Sequence, residues 1–319
     1  MKKLKIAVLM GGPSAEREVS LRSGTAVANA LTVTGAKVVP MDIQDATFTI
    51  PADVDVAFLV LHGTFGEDGA LQRILEGRGI AYTGSGPAAS ALAFDKVAAK
   101  QSFLDAGIPT PAYEAFENAQ PIRPRLARLG FPVVVKPSRQ GSSVGISIVH
   151  QEAGLLEAYQ VAGRYDSRLL VEQFIAGREL TVGILDGRAL PVVEIRPKHD
   201  FFTYEAKYTK GETDYLVPAA VDKNVEYQAK TLALRAHDCL GCRDYSRVDL
   251  MLSQNGELFV LEVNTIPGFT ETSLLPKAAR ASGIEFPDLC ARLVQLALAR
   301  SGRNGAPVAG EKETVAISR

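Results

Sequence analysis

Two apolar runs within residues 243–264 are separated by Asn255-Gly256, and this arrangement constrains the fold more than any other part of the chain. Asn-Gly is a strong signal for a two-residue β-hairpin turn, because both central positions of that turn have positive φ. The segment therefore predicts an antiparallel hairpin in which residue 254 faces residue 257.

Counting outward from that turn places Asp249 opposite Glu262 and Arg247 opposite Asn264, all on one face of the hairpin. The other face is predicted to be apolar and to contain Val248, Leu250, Leu252, Phe259, Leu261 and Val263. A polar face that merely meets water is one interpretation. However, two opposed carboxylates destabilise a hairpin unless a cation lies between them, and hard oxygen ligands suit Mg²⁺. We favour the metal-binding interpretation.

The first hundred residues alternate short apolar runs with segments typical of helices, which predicts an α/β fold with a parallel sheet. The runs 5–10 and 54–61 each end in a Gly-containing loop, and His62 and Glu67 lie in the second of these loops. Ligands bind at such strand ends. A nicotinamide-cofactor site is disfavoured, because the G-x-G-x-x-G spacing is absent and Glu16 stands where a pyrophosphate would bind.

Charge and cysteine content exclude several classes of function. Lys and Arg (35) nearly balance Asp and Glu (36), so the chain has no basic surplus for nucleic-acid binding. No apolar run is long enough to span a bilayer. The three cysteines predict a reducing, cytoplasmic setting, and Cys239 and Cys242 lack the further ligands that a zinc site needs.

Residues 136–145 place Lys136 at a predicted strand end before a loop rich in Gly and Ser. Backbone amides of such a loop can approach phosphate oxygens, and the lysine adds positive charge. The loop is not a G-x-x-x-x-G-K-[ST] motif, so a simple hairpin loop stays an alternative.

Collinear motifs from about residue 5 to residue 299 resemble those of the D-alanine:D-alanine ligases of the ATP-grasp superfamily. The motifs are GGPSAEREVS at 11–20, LHGTFGEDG at 61–69, YTGSG at 82–86, DK at 95–96, residues 136–145, YEAKY at 204–208, RVD at 247–249 and EVNTIPG at 262–268. The tail lies outside the resemblance.

The resemblance implies a three-domain ATP-grasp ligase with an N-terminal parallel-sheet domain. We expect an N-terminal α/β substrate-binding domain at 1–95, a central ATP-grasp subdomain at 96–178 and a C-terminal subdomain at 179–301, followed by a mobile tail at 302–319. The resemblance also implies a homodimer.

The implied reaction joins two D-alanines for peptidoglycan precursor synthesis. ATP phosphorylates the first carboxylate, and the amine of the second D-alanine attacks the acyl phosphate. The implied cofactors are ATP as substrate and Mg²⁺ or Mn²⁺, with two ions expected. The metal ligands would be Asp249, Glu262 and Asn264, the residues that the hairpin counting brings together.

The resemblance also assigns the other site residues. The phosphate-facing cations are Lys96, Lys136 and Lys207, and the adenine and ribose contacts are Glu172, Phe174, Ile175 and Glu179. Glu16 holds the ammonium group of the first D-alanine with His62 nearby, and Ser273 binds the second carboxylate. Arg247 and the Gly268 amide stabilise the oxyanion. Ser142 and Tyr208 close two loops over the substrates.

Two residues depart from the family pattern, Gln173 beside the adenine contacts and Ile266 before Pro-Gly.

A different ATP-grasp ligase and a non-catalytic nucleotide-binding module stay open as alternatives. The first would not need Glu16, Tyr208 and Ser273, and the second should have lost a metal ligand or Arg247. In the stretch that corresponds to residues 201–218, ester-forming relatives have a cation that attracts lactate. This stretch contains no histidine here, so we expect D-alanine rather than D-lactate as the second substrate; His199 lies just upstream.

Overall fold

The computed structural model describes residues 1, 3–117, 126, 128–142, 144–197 and 213–302. The N-terminal part contains a parallel sheet in the order β2-β1-β3. Its strands are β1 (Lys5–Gly11), β2 (Lys37–Ile43) and β3 (Val56–Leu59), and its helices are α1 (Arg17–Val33), α2 (Ala70–Gly77) and α3 (Pro87–Phe94). Residues 6–10 of the central strand β1 are apolar and buried. Ile6 and Val8 pack in one cluster with α1, and Ala7 and Leu9 pack in another with α2. The predicted parallel sheet is confirmed.

Helix α4 (Lys96–Asp105) leads into an antiparallel sheet in the order β4-β7-β5-β6. The strands are β4 (Tyr113–Glu117), β5 (Val133–Pro137), β6 (Ser147–Val149) and β7 (Arg168–Gln173). Helix α5 (Leu155–Ala162) follows a short 3₁₀ turn and packs its apolar side against this sheet. The Gly-Ser loop joins β5 to β6, so the predicted strand–loop–strand arrangement is confirmed.

A second antiparallel sheet has the order β11-β10-β8-β12-β13, with β9 paired to β8. Its strands are β8 (Gly177–Leu185), β9 (Arg188–Ala189), β10 (Val193–Pro197), β11 (Thr213–Leu216), β12 (Tyr245–Ser253) and β13 (Leu258–Asn264). The remaining described helices are α6 (Lys223–Cys239), α7 (Leu274–Ala281) and α8 (Phe286–Arg300).

Buried aromatic side chains join the parallel sheet to the sheet that contains β12. Phe269 lies between Phe58 of the parallel sheet and Tyr245 of β12, with ring centroids 5.6 and 5.8 Å away. On the other side of β12 and β13, Phe103 of α4 packs in the same apolar cluster as Val260. The sheet that contains β12 and β13 therefore packs against the parallel sheet through Phe269 and against α4 through Phe103.

The predicted domain boundaries at residues 95, 178 and 301 stay predictions. Residues 303–319 and 198–212 lie outside the described residues, so the tail and the motif at 204–208 cannot be compared with the structure. Within the described part of the chain, no helix combines the length and the apolar character needed to cross a bilayer.

Candidate active site

The hairpin β12–β13 opposes Asp249 to Glu262 and Arg247 to Asn264, which confirms the pairs predicted from the sequence. The turn itself differs from the prediction. Ser253 N–H donates to Glu257 O at 2.8 Å and Gly256 N–H donates to Ser253 O at 3.0 Å. The loop therefore has three residues and ends in Gly256 with φ +84°.

This longer loop shifts the pairing by one residue, so that Leu250 faces Val260, until a bulge restores the register at Asp249. The predicted apolar face was therefore wrong for two residues of β13. Leu258, Val260 and Val263 are the buried ones, whereas Phe259 and Leu261 are only partly buried. Leu261 instead lines a cavity together with Met251.

Asp249 is buried and its carboxylate is held from several sides. Arg247 donates to both oxygens, with Nε–Oδ1 at 2.9 Å and Nη2–Oδ2 at 2.7 Å. Thr181 Oγ1 donates to Oδ1 at 2.6 Å. The neighbouring strand β8 thus fixes the side chain that the hairpin presents, and the buried charge is compensated.

The oxygen atoms of Asp249, Glu262 and Asn264 form a set of ligands that fits a magnesium or manganese ion. Asn264 Nδ2 lies 3.2 Å from Asp249 Oδ2 and 3.4 Å from Glu262 Oε1, so both carboxylates converge on one atom. A flipped amide would turn the Asn264 oxygen toward the same point. Within the described ranges, no group of three or more His, Cys, Asp or Glu side chains is arranged to hold a metal. Two carboxylates and an amide oxygen suit an ion that also takes phosphate oxygens.

Two lysines connect the Gly-Ser loop and β5 to acidic side chains. Lys96 Nζ lies 3.2 Å from Glu262 Oε2 and donates to Gln140 O at 2.6 Å. Lys136 Nζ forms an ion pair with Glu172 Oε1. Burial opposes ionisation of Glu172, but neighbouring lysines outweigh it and hold the pKa of this carboxyl below its ordinary value. Lys96 and Lys136 therefore place two ammonium groups at one wall of a cavity, each beside a carboxylate.

The first cavity has a volume of about 610 Å³ and lies between the two antiparallel sheets. It brings together the nucleotide and metal residues predicted from the sequence, except Lys207 and Asn264: Lys96, Lys136, Glu172, Phe174, Ile175, Glu179, Asp249 and Glu262. Gln173, which departs from the family pattern, also lines it. Lys207 lies outside the described residues.

The second cavity has a volume of about 710 Å³ and lies on the side of the parallel sheet. Its lining includes the predicted metal ligand Asn264 and the predicted substrate residues and oxyanion donors: Glu16, His62, Ser142, Arg247, Gly268 and Ser273. Gly141 and Ser142 line both cavities. The hairpin face supplies Asp249 and Glu262 to one cavity and Arg247 and Asn264 to the other. The two cavities therefore meet at this face. Tyr208 lies outside the described residues.

Glu16, the residue before α1, contacts the Gly-Ser loop through its side chain. Its Oε1 accepts a hydrogen bond from Ser142 Oγ. Its buried Oε2 has no hydrogen-bond partner among the described residues. A buried carboxylate oxygen without a partner is costly, so it favours a bound cationic group.

Gly141 lets the loop approach Glu16, because a Cβ at this position would lie 2.6 Å from Glu16 Oε2. We expect Gly141→Ala to displace the carboxylate and raise the KM for the amino-acid substrate that the family resemblance implies about tenfold, as loss of one hydrogen bond to a charged group would. Gly77→Ala is the control, since nothing lies within 4 Å of its added methyl group. Steady-state kinetics with both variants check this; an unchanged KM in Gly141→Ala would contradict it.

His62 is buried and two contacts orient its ring. Nδ1 lies 3.0 Å from Ile266 O and must donate, because a carbonyl only accepts. Nε2 lies 3.3 Å from Ser23 Oγ, which also accepts from Phe269 N–H at 3.3 Å. The backbone of Ile266 makes this contact while its side chain is buried in the core, so a different residue here changes packing rather than the His62 contact.

Gly268 and Ser273 lie next to each other in the loop before α7. A Cβ on Gly268 would lie 3.3 Å from Ser273 Oγ, which shows how close the two residues are. Thr270 N–H donates to Ser273 Oγ at 3.0 Å. The hydroxyl is thereby oriented beside the amide of Gly268 at the wall of the second cavity.

Glu67 is a buried member of the second cavity that was not among the predicted site residues. Burial, together with the negative charge of Glu16, raises its pKa to about 8. Its Oε2 accepts from Gly63 N–H at 2.8 Å. The sequence signal was its place in the Gly-rich loop after the second predicted strand. Its charge state could be assigned only once Glu16 was located beside it.

The raised pKa of Glu67 predicts a pH dependence of stability. The folded protein keeps this proton between about pH 4.5 and 8, whereas the unfolded chain has lost it. This contribution to the unfolding free energy is therefore present below pH 4.5 and is lost as the pH rises to about 8. We expect Glu67→Gln, which cannot ionise, to gain stability relative to the unsubstituted protein over that range. Urea unfolding at pH 5.5, 7 and 8.5 checks this, and a pH-independent difference would contradict it.

Relatives and solved structures identify the class to which this arrangement belongs. The D-alanine–D-alanine ligase of Bacillus anthracis superposes with a TM-score of 0.86 at 36% identity, over 95% of this chain and 100% of that chain. The complex of that ligase with ATP superposes with a TM-score of 0.85 at 33% identity, over 95% of this chain and 100% of that chain. The VanG D-Ala:D-Ser ligase of Enterococcus faecalis superposes with a TM-score of 0.83 at 32% identity, over 92% of this chain and 99% of that chain. The fold is the ATP-grasp fold.

Sequence comparison defines the family more narrowly. The family model described as D-ala D-ala ligase C-terminus matches residues 103–295, and the corresponding N-terminus model matches residues 46–85. The D-alanine–D-alanine ligase of Desulforudis audaxviator is 51% identical over 304 residues, covering 93% of this chain and 99% of the relative. That of Methylacidiphilum infernorum is 47% identical over 302 residues, covering 94% and 97%. The chain belongs to the D-alanine–D-alanine ligase family.

Proposed function

We propose that the chain ligates two D-alanine molecules to D-alanyl-D-alanine through a D-alanyl phosphate, with release of ADP and phosphate. The product serves peptidoglycan precursor synthesis. The observation that carries the proposal is the meeting of two cavities at the hairpin face of Asp249 and Glu262 and at Gly141–Ser142. One cavity has the cations and apolar walls suited to a nucleotide. In the other, Glu16 Oε2 has no hydrogen-bond partner among the described residues and suits an amino-acid ammonium group.

The first cavity binds ATP in this proposal. Lys96 and Lys136, together with Lys207 by resemblance, face the phosphates. Glu172 and Glu179 contact the adenine and ribose beside Phe174 and Ile175. Asp249, Glu262 and Asn264 hold Mg²⁺ or Mn²⁺, with two ions expected, and the metal supplies positive charge to the phosphates when bound.

The second cavity binds both amino acids. Glu16 receives the ammonium group of the first D-alanine, with His62 nearby, and Ser273 binds the carboxylate of the second. Arg247 and the Gly268 N–H surround the position where the acyl oxygen gains negative charge. Ser142 and Tyr208 hold the loops closed, and the Ser142–Glu16 hydrogen bond supports this role for the serine.

The reaction proceeds in two displacements. A carboxylate oxygen of the first D-alanine attacks the γ-phosphorus of ATP, and the bond from that phosphorus to ADP breaks while Lys96 and Lys136 offset the phosphate charge. The second D-alanine loses a proton, and its amine attacks the acyl carbon, which gives a tetrahedral intermediate whose oxyanion Arg247 and Gly268 N–H stabilise. The carbon–oxygen bond to phosphate then breaks, and the new amide nitrogen loses its extra proton.

We place the enzyme in the cytoplasm, as its cysteine content predicts, and as a homodimer, as its family resemblance implies. The three cysteines are free thiols, which is consistent with a reducing compartment. The domain division at residues 95, 178 and 301 belongs to the same proposal.

An amino-acid panel tests the function. Phosphate release from ATP should require D-alanine, and mass spectrometry should find D-alanyl-D-alanine. L-alanine should give neither. With equal D-alanine and D-lactate at pH 7, the dipeptide should predominate over the depsipeptide. Because one structural neighbour is a D-Ala:D-Ser ligase, D-serine is included as a competing second substrate. Predominant depsipeptide or D-alanyl-D-serine would contradict the assigned specificity, and ATP turnover without D-alanine would contradict the function.

A further inference from the structure

Helix α4 carries a second lysine, Lys100, one turn after Lys96 and on the same side of the helix. Lys96 pairs with Glu262, and Lys100 pairs with Glu172 at 2.8 Å. Lys100 is fully buried and does not line either cavity. Its ammonium group therefore acts within the protein and does not contact a ligand.

Three other groups fix the position of the Lys100 ammonium. It donates to Thr110 Oγ1 at 2.6 Å, lies 3.5 Å from Pro111 O and lies 5.5 Å from the centre of the Tyr113 ring. Thr110 Oγ1 in turn donates to Val260 O of β13 at 2.7 Å. A cation held in this way cannot turn toward the nucleotide.

Glu172 is shared by two lysines that differ in their surroundings. Lys136 pairs with Oε1 and lines the first cavity. Lys100 pairs with Oε2 and does not line that cavity. If Lys136 were the sole partner, its movement toward a phosphate would leave a buried carboxylate uncompensated, which is strongly unfavourable. Lys100 removes that penalty because it stays with Glu172.

We propose that Lys100 is a positioning residue for ATP binding: it keeps Glu172 compensated, so that the Lys136 ammonium can leave this carboxylate for a nucleotide phosphate. The inference rests on the proposed function of the first cavity and deepens it. Burial, partly offset by Glu172, lowers the pKa of Lys100 to about 8, so the group is mostly charged at neutral pH.

The test is a double-mutant cycle on ATP binding with the full chain. Lys100→Met should raise the Kd for ATP, measured by calorimetry, at least about tenfold, while the KM for D-alanine changes less than about twofold. In the Glu172→Gln background there is no buried charge to compensate, so adding Lys100→Met should have little further effect on the Kd. Lys230→Met, which removes an ion-paired lysine far from the cavities, is the control.

Two results would overturn the inference. One is an ATP affinity of Lys100→Met equal to that of the unsubstituted protein. The other is an equal loss of affinity on adding Lys100→Met with and without Glu172→Gln, which is the result expected of a merely structural residue. If Lys100→Met does not fold, the ATP affinity of Glu172→Gln is compared with that of the double variant. A loss of affinity in the double variant would overturn the inference, and an unchanged affinity would support it. Failure of the unsubstituted protein to bind ATP would instead contradict the proposed function.

Discussion

Glu262→Gln is expected to lower the rate of dipeptide formation by about 100-fold or more, because it removes one of the two carboxylates that converge at the hairpin face. It also removes the ion pair with Lys96, whose Nζ lies 3.2 Å from Oε2. The fold should persist, because the buried apolar side of the hairpin is unchanged. Turnover at several Mg²⁺ concentrations, with circular dichroism for the fold, measures the effect.

Glu257→Gln is the matched control for that experiment. Glu257 lies at the exposed end of the same hairpin, away from both cavities. It should leave turnover unchanged. A Glu262→Gln variant with full activity and an unchanged Mg²⁺ dependence would show that the hairpin face does not hold the metal.

Ser142→Gly and Tyr208→Ala are expected to raise the ratio of ATP hydrolysed to dipeptide formed by about tenfold, the change that one hydrogen bond to a charged group supplies. Closed loops exclude water, so the acyl phosphate is attacked by an amine and is not hydrolysed. Ser142 contributes through its hydrogen bond to Glu16, and its φ of +52° means that glycine removes the hydroxyl without straining the backbone.

The comparison of phosphate and dipeptide yields from the same reaction measures this ratio directly. Ser142→Ala, which keeps the Cβ but lacks the hydroxyl, separates loss of the hydrogen bond from added loop freedom. An unaltered ratio in both Ser142→Gly and Tyr208→Ala would count against loop closure by this pair.

The hairpin illustrates how far the sequence can predict the site. Counting from Asn255-Gly256 located the Asp249–Glu262 pair correctly, although the turn has three residues and not two. The pairs were correct because the bulge beside Asp249 offsets the longer loop. Between the three-residue loop and the bulge, the predicted residue pairing was wrong by one position. Leu261, which lines a cavity, was therefore predicted to lie in the core. Loop length and bulge position depend on packing that a local pattern does not contain.

Residues whose role depends on distant neighbours were beyond the reach of the sequence. Lys100 lies four residues after a predicted phosphate cation, but nothing local indicates that Glu172 is its partner. Glu67 was seen only as a loop residue, because its proton is set by burial and by Glu16. Similarly, the motifs indicated a nucleotide site and a substrate site separately. Their meeting at Gly141–Ser142 depends on how the sheets pack.

Transfer of oxygen from D-alanine to phosphate tests the central claim most directly. The enzyme is supplied with ATP and D-alanine labelled with ¹⁸O in both carboxylate oxygens, and the released phosphate is analysed by mass spectrometry. An acyl phosphate formed where the two cavities meet predicts one ¹⁸O atom in each phosphate, with ADP as the other product. Phosphate without ¹⁸O, or AMP in place of ADP, would contradict the proposed reaction.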